Sequence, residues 1–133
     1  MLTKEQILDI EDLNHEDVEV PEWGGKVRMR CMTGTERDSF EASIYKIEGG
    51  NTKVVRDNFR ANLVARCLIG EDGNRLFSDK EALQIGKKNS QVLNRLFEIA
   101  QRVNGLTAED QEELLKNLPS EEESISISTS PKS

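Results

Sequence analysis

Apolar positions along the chain switch between two spacings, and the switches divide it into elements. Ile7, Ile10 and Leu13 recur at intervals of three, and Thr3 with Gln6 has the spacing of a capping box. Residues 1–14 therefore predict a short amphipathic helix, one that needs a surface to pack on. From Val18 the period falls to two. Val18 and Val20 alternate with Glu19, and Val27, Met29 and Cys31 alternate with Lys26, Arg28 and Arg30, on either side of Pro21-Glu22-Trp23-Gly24-Gly25. This predicts a β-hairpin with the apolar residues inward and acids facing arginines outside. The paired glycines admit positive φ at its turn.

Beyond the hairpin the spacing becomes helical. Thr33 and Glu36 form the clearest capping box, followed by a stripe of Phe40, Ile44 and Ile47 that stops at Gly49-Gly50-Asn51. A second helix is predicted from about 53 to 69. It carries Val55, Phe59, Leu63, Val64, Cys67 and Leu68 on one face and Arg56, Arg60 and Arg66 elsewhere. Glu71-Asp72-Gly73-Asn74 reads as a turn and lacks the ligand set of a calcium loop. Ser78 with Glu81 opens a short helix over Ala82, Leu83 and Ile85 that ends at Gly86.

The strongest amphipathic stripe follows over 90–103, with Val92, Leu93, Leu96, Phe97, Ala100 and Val103 on one face and Gly105 after it. Thr107 and Asp110 start a last helix whose apolar side is Leu114, Leu115 and Leu118. Pro119 closes this unit. The serine- and acid-rich residues 119–133 predict a disordered acidic tail. The expected fold is α+β and mainly α: an N-terminal β-hairpin followed by about five helices, in one domain over 1–118.

Charge refines this outline. The formal net charge is −7 over 133 residues, but its distribution is uneven. Residues 1–22 hold eight acids and one lysine, and residues 107–133 hold seven acids and two lysines. The middle holds fifteen bases and ten acids, so a mildly basic body lies between two acidic ends. Such ends keep a protein in solution, and they also weaken any affinity of the body for nucleic acid. Only 35% of residues are hydrophobic, and no run approaches the ~20 apolar residues needed to span a bilayer. The N-terminus does not have the pattern of a signal peptide.

The residue inventory offers little for catalysis. His15 is the only histidine and lies in an acidic stretch, far in sequence from Cys67. Cys31 and Cys67 belong to no CxxC pair, and both read as small buried hydrophobes. One histidine and two isolated cysteines do not make a zinc site. Neither a GxxxxGK[ST] loop nor a GxGxxG motif occurs. The sequence thus assigns no catalytic residue, metal ligand or cofactor. Basic residues on the hairpin (Lys26, Arg28, Arg30) and the second helix (Arg56, Arg60, Arg66) suggest nucleic acid. Interleaved acids and the lack of an aromatic platform argue against it.

Two segments carry a family likeness. Val18-Glu19-Val20-Pro21-Glu22-Trp23-Gly24-Gly25 leads into Thr33-Gly34-Thr35-Glu36-Arg37-Asp38-Ser39-Phe40. After them come Asn62 to Leu68, Asp72 to Asp79 and the helix from Val92. In this order the chain resembles the tail assembly chaperones of long-tailed bacteriophages and prophages, over about residues 3–118. The resemblance implies a small α-rich, non-enzymatic domain that acts in the host cell cytoplasm and is absent from the finished virion. It implies binding to the largely helical tape measure protein, with recruitment of tail tube subunits, and a longer frameshifted form in many members.

A chaperone of this kind needs an apolar strip of its own to cover its partner's stripes. The candidates are the 92–103 stripe, the Leu114, Leu115 and Leu118 face, and Trp23 at the hairpin tip. Each has a competing fate inside the monomer: packing on Phe40, Phe59 and Leu63 for the two stripes, and packing across its own hairpin for Trp23. Two other functions compete with the chaperone: a nucleic-acid-binding regulator using the basic middle, and a structural adaptor of the virion. Self-association and the longer form are left open.

Overall fold

The computed structural model describes residues 1–55, 57–106 and 124–125. Helix α1 spans Lys4–Asp9 and strands β1 and β2 span His15–Val20 and Gly25–Arg30. Helix α2 covers Gly34–Ser43, strands β3 and β4 cover Tyr45–Glu48 and Asn51–Val54, and α3 covers Phe59–Cys67. Strand β5 (Leu68–Ile69), α4 (Ala82–Ile85), α5 (Ser90–Val103) and β6 (Ser124–Ile125) complete the order. The class is α+β.

The first hairpin forms as its alternation requires. β1 and β2 pair antiparallel with Val18 opposite Val27 and Asp17 opposite Arg28. Val18, Val20 and Met29 are buried, while Val27 and Cys31 pack against the same core. On the other face, Arg28 donates to both carboxylate oxygens of Asp17, at 2.6 and 3.1 Å. The turn differs from a plain two-glycine connection. Pro21–Trp23 makes one 3-10 turn, and Gly24 closes it at φ +78°. β5 adds to the free edge of β2 through Arg28–Ile69 and Met29–Leu68 pairing.

Three capping boxes set helix starts where the sequence places them. Thr3 with Gln6 and Thr33 with Glu36 each exchange side-chain and backbone hydrogen bonds, and the Glu81 carboxylate accepts from the Ser78 amide at 2.8 Å. α5 matches its predicted span, and its first turn is capped by Asn89, whose side chain accepts from Gln91 and Val92 amides. Its end is a Schellman closure: Gly105, at φ +76°, donates to Arg102, and Leu106 donates to Gln101.

The core lies between the first sheet and the helices. α3 runs through its middle, with seven of nine residues buried. Phe59 contacts both Phe40 of α2 and Phe97 of α5, with ring centroids 5.6 and 5.8 Å apart. Val92, Leu96, Phe97, Ala100 and Val103 of α5 are buried as well. Apart from Ala100, each of these side chains contributes roughly 1.5–3 kcal/mol through removal from water.

Three expectations need correction. The helix begun at Thr33 stops at Ser43, Ile44 caps it, and Tyr45–Glu48 leaves it as a strand. Gly49 and Gly50 are the two positive-φ residues of a tight hairpin turn, at +56° and +84°. β3 and β4 pair across that turn, with Ile47 opposite Thr52 and Tyr45 opposite Val54. Ile44 is buried but Ile47 is 69% exposed, so the two share no helical stripe. β-Branched and aromatic residues on both sides of a glycine pair favour the hairpin over a helix end.

The next helix begins at Phe59, and its last predicted turn is the strand Leu68–Ile69. Arg66 does not lie on a basic outer side. It is 3% exposed, with its guanidinium 5.6 Å from the Phe40 ring and 3.3 Å from Asp79. The predicted last helix with Leu114, Leu115 and Leu118 lies outside the described residues. So does most of the predicted disordered tail, of which only Ser124–Ile125 is described, paired with β4.

Candidate partner-binding surface

No arrangement for bond-making chemistry emerges from the described residues. His15 is exposed on β1, opposite Arg30. Cys67 is fully buried in α3 and accepts a 3.4 Å contact from the Asn104 amide. Burial pushes its thiol up to about 11, so it is held as the unreactive thiol near neutral pH. Cys31, half-buried beyond β2, packs on the core. An open groove of about 410 Å³ between α3 and α5 is lined by Asn58, Arg60, Gly86, Ser90, Leu93 and Asn94. Its guanidinium is already committed, donating from Arg60 to Asn94 at 3.1 Å and lying 5.3 Å from the Phe97 ring centroid. No nucleophile lies beside a base there. Among the described residues no three His, Cys, Asp or Glu side chains gather as metal ligands, and no helix is long and apolar enough to cross a membrane.

The arginines that suggested nucleic acid are largely engaged. Arg28 pairs with Asp17, and Arg30 reaches Glu36 at 2.6 Å. Burial works against the Glu36 carboxylate, but the Thr33 amide and Arg30 outweigh it and leave it lowered. Arg66 is enclosed between Phe40 and Asp79, and Arg75 reaches the same Asp79 at 2.8 Å. Acids of the N-terminal segment hold α5: Glu16 meets Arg102 at 2.6 Å, and Glu22 meets Arg95 through two bonds of 2.8 and 3.0 Å. The Arg95 hydrogen bonds, helped by a backbone bond, pull the Glu22 carboxyl down to about 2. The acidic start of the chain thus neutralises basic groups of its own body.

The sequence candidates for an apolar contact separate. The 92–103 stripe is core, packed on Phe59, so it offers no strip to a partner. Trp23 is half-buried against the core at the hairpin tip, with the Lys88 ammonium 6.0 Å from its ring. Leu114, Leu115 and Leu118 lie outside the described residues. The large exposed apolar groups sit elsewhere, above all on the N-terminal segment: Ile7, Leu8, Ile10 and Leu13 are 55%, 75%, 49% and 40% exposed. Tyr45 and Ile47 on β3, Leu76 and Leu83 add smaller exposed patches. The sequence had marked residues 1–14 as a helix in need of a neighbour. That spacing was the available signal for an interaction surface.

The described residues thus combine a closed core, arginines largely paired with acids, and an apolar N-terminal element left in solvent. The model of the phage tail assembly chaperone family matches residues 4–117, and the chain belongs to that family. It is therefore a non-enzymatic assembly factor. The chain is also similar in fold to the bacteriophage HK97 tail assembly chaperone. The TM-score is 0.53 at 22% identity, covering 77% of this chain and 94% of that one. No curated protein matches it.

Proposed function

We propose that this chain binds the tape measure protein in the host cell cytoplasm, keeps it soluble, and helps gather tail tube subunits around it. Membership of the tail assembly chaperone family over residues 4–117 carries this reading. The physical need is plain. A long helical partner exposes apolar stripes that aggregate until the tube encloses them, and a small acidic protein with apolar surface of its own can cover them. Residues 1–118 form the working unit in this proposal. Leu114, Leu115 and Leu118 contribute contacts, and so does the exposed part of Trp23.

Co-expression with the tape measure protein of the same genome tests the proposal. The expected result is a soluble complex in place of an aggregated partner. Equal aggregation with and without this chain defeats it. Leu114→Asp and Leu115→Asp are expected to lose the partner while circular dichroism stays unchanged. Global unfolding of those variants would return the leucines to the core. Mass spectrometry of purified virions should find the chain absent, and its presence would favour a structural adaptor.

A further inference from the structure

Helix α1 has a complete capping box and six residues, yet none of the six is buried. An isolated helix of that length is far below what backbone propensity sustains, so its packing energy has to come from another surface. Within the helix Ile7 and Leu8 lie on one side, with Lys4, the one base of residues 4–13, between them. Glu5 and Asp9, four residues apart, line the neighbouring side. Beyond the helix Ile10 and Leu13 remain about half exposed and line one shallow hollow with Leu8, Asp9, Glu11 and Asp12. The element meets the body just past Leu13, where Asn14 donates to the Val103 carbonyl and accepts from the Cys31 amide. Four solvent-facing apolar side chains flanked by four acids are more than solubility requires.

We infer that residues 4–13 are a docking element for an amphipathic helix whose apolar stripe is bordered by lysine or arginine. The apolar strip supplies the buried area. Glu5, Asp9, Glu11 and Asp12 select a basic border and reject an acidic one. The same acids repel an anionic lipid surface, which otherwise attracts amphipathic helices. The inference rests on the chaperone reading only for the partner's identity, a basic-flanked helical stretch of the tape measure protein.

The test uses the full chain and two synthetic peptides of about 18 residues, long enough to hold a helix once docked. Both carry a leucine stripe, one bordered by lysines and the other by glutamates, and binding is read by fluorescence anisotropy. The lysine peptide is expected to bind and the glutamate peptide is not. Leu8→Ser and Ile7→Ser, at exposed positions and without charge change, should each weaken binding by about tenfold. Leu83→Ser, exposed elsewhere, should leave it unchanged. The double change Glu5→Lys with Asp9→Lys should reverse the preference. Undiminished binding by Leu8→Ser, or no binding of either peptide, overturns the docking element. So does self-association in sedimentation that Leu8→Ser abolishes, because the strip then belongs to a second copy. Overlapping tape measure peptides separate the two proposals. If they bind Leu8→Ser as well as the parent chain, α1 is excluded and the chaperone reading stands. If none binds while the lysine peptide docks through Leu8, the tape measure assignment fails and the element stands.

Discussion

The Met32 amide donates to Oδ1 of Asn104 at 2.8 Å, joining residues 72 positions apart. The Asn104 amide nitrogen also donates to the Ala100 carbonyl at 2.6 Å and contacts Cys67 Sγ. One side chain therefore ties the end of α5 to the segment between the hairpin and α2, and to α3. Asn104→Ala removes the acceptor and leaves the Met32 amide without its partner. The expected loss is about 1–3 kcal/mol, read as a lower urea midpoint with an unchanged slope.

Phe97 carries the contact between α5 and α3. Phe97→Ala removes a ring that meets Phe59 and leaves a cavity in the core. A destabilisation of about 3–5 kcal/mol is expected from denaturant unfolding. A cost below about 1 kcal/mol would mean that α5 packs elsewhere.

The Glu22–Arg95 pair makes stability depend on acid. The folded Glu22 carboxyl titrates at about 2 against an ordinary 4.5, so the folded state favours its charged form. Its contribution is present above pH 4.5 and is lost as the pH falls from there towards 2. Glu22→Gln should flatten the decline of stability across that window and have little effect on its shape near neutrality. Denaturant midpoints measured from pH 7 to pH 2 check this. Asp17, held low by its Arg28 hydrogen bond, adds a change of the same sign.

The two thiols should react at different rates. Cys31 is half-buried, whereas Cys67 is sealed and its ionisation is suppressed. A thiol reagent at pH 8 is expected to modify one cysteine in the folded chain and the second only after denaturant is added. Mass mapping should place the fast site at Cys31. Equal rates would contradict the burial of α3.

Much of this architecture was legible because it is written locally. Capping boxes span four residues, and Thr33 with Glu36 or Ser78 with Glu81 needs no tertiary information to be read. The stripe of α5 was clear for the same reason, although its spacing did not say whether it faced a partner or Phe59. The hairpin over Tyr45–Val54 was misread because Phe40 and Ile44 continue at helical spacing into Ile47. The alternation that decides it starts only at Tyr45, and the glycine pair suits a helix end as well as a tight turn. Arg66 was misplaced because an arginine on a helix usually marks the solvent side. Its burial depends on Phe40 and Asp79, which are distant in sequence. Of the interaction surface, residues 1–14 could be recognised as lacking a neighbour. That Lys4–Asp9 buries no residue is a tertiary fact.

The closure of α5 anchors the helix end at three points. Gly105 turns back on Arg102, Leu106 on Gln101, and Asn104 is bonded into the seam beside Met32 and Cys67. The last turn of α5 is thereby welded to the segment after the first hairpin and to α3. Strain applied at Leu106 would be borne by the interior of the fold and not by one helix end.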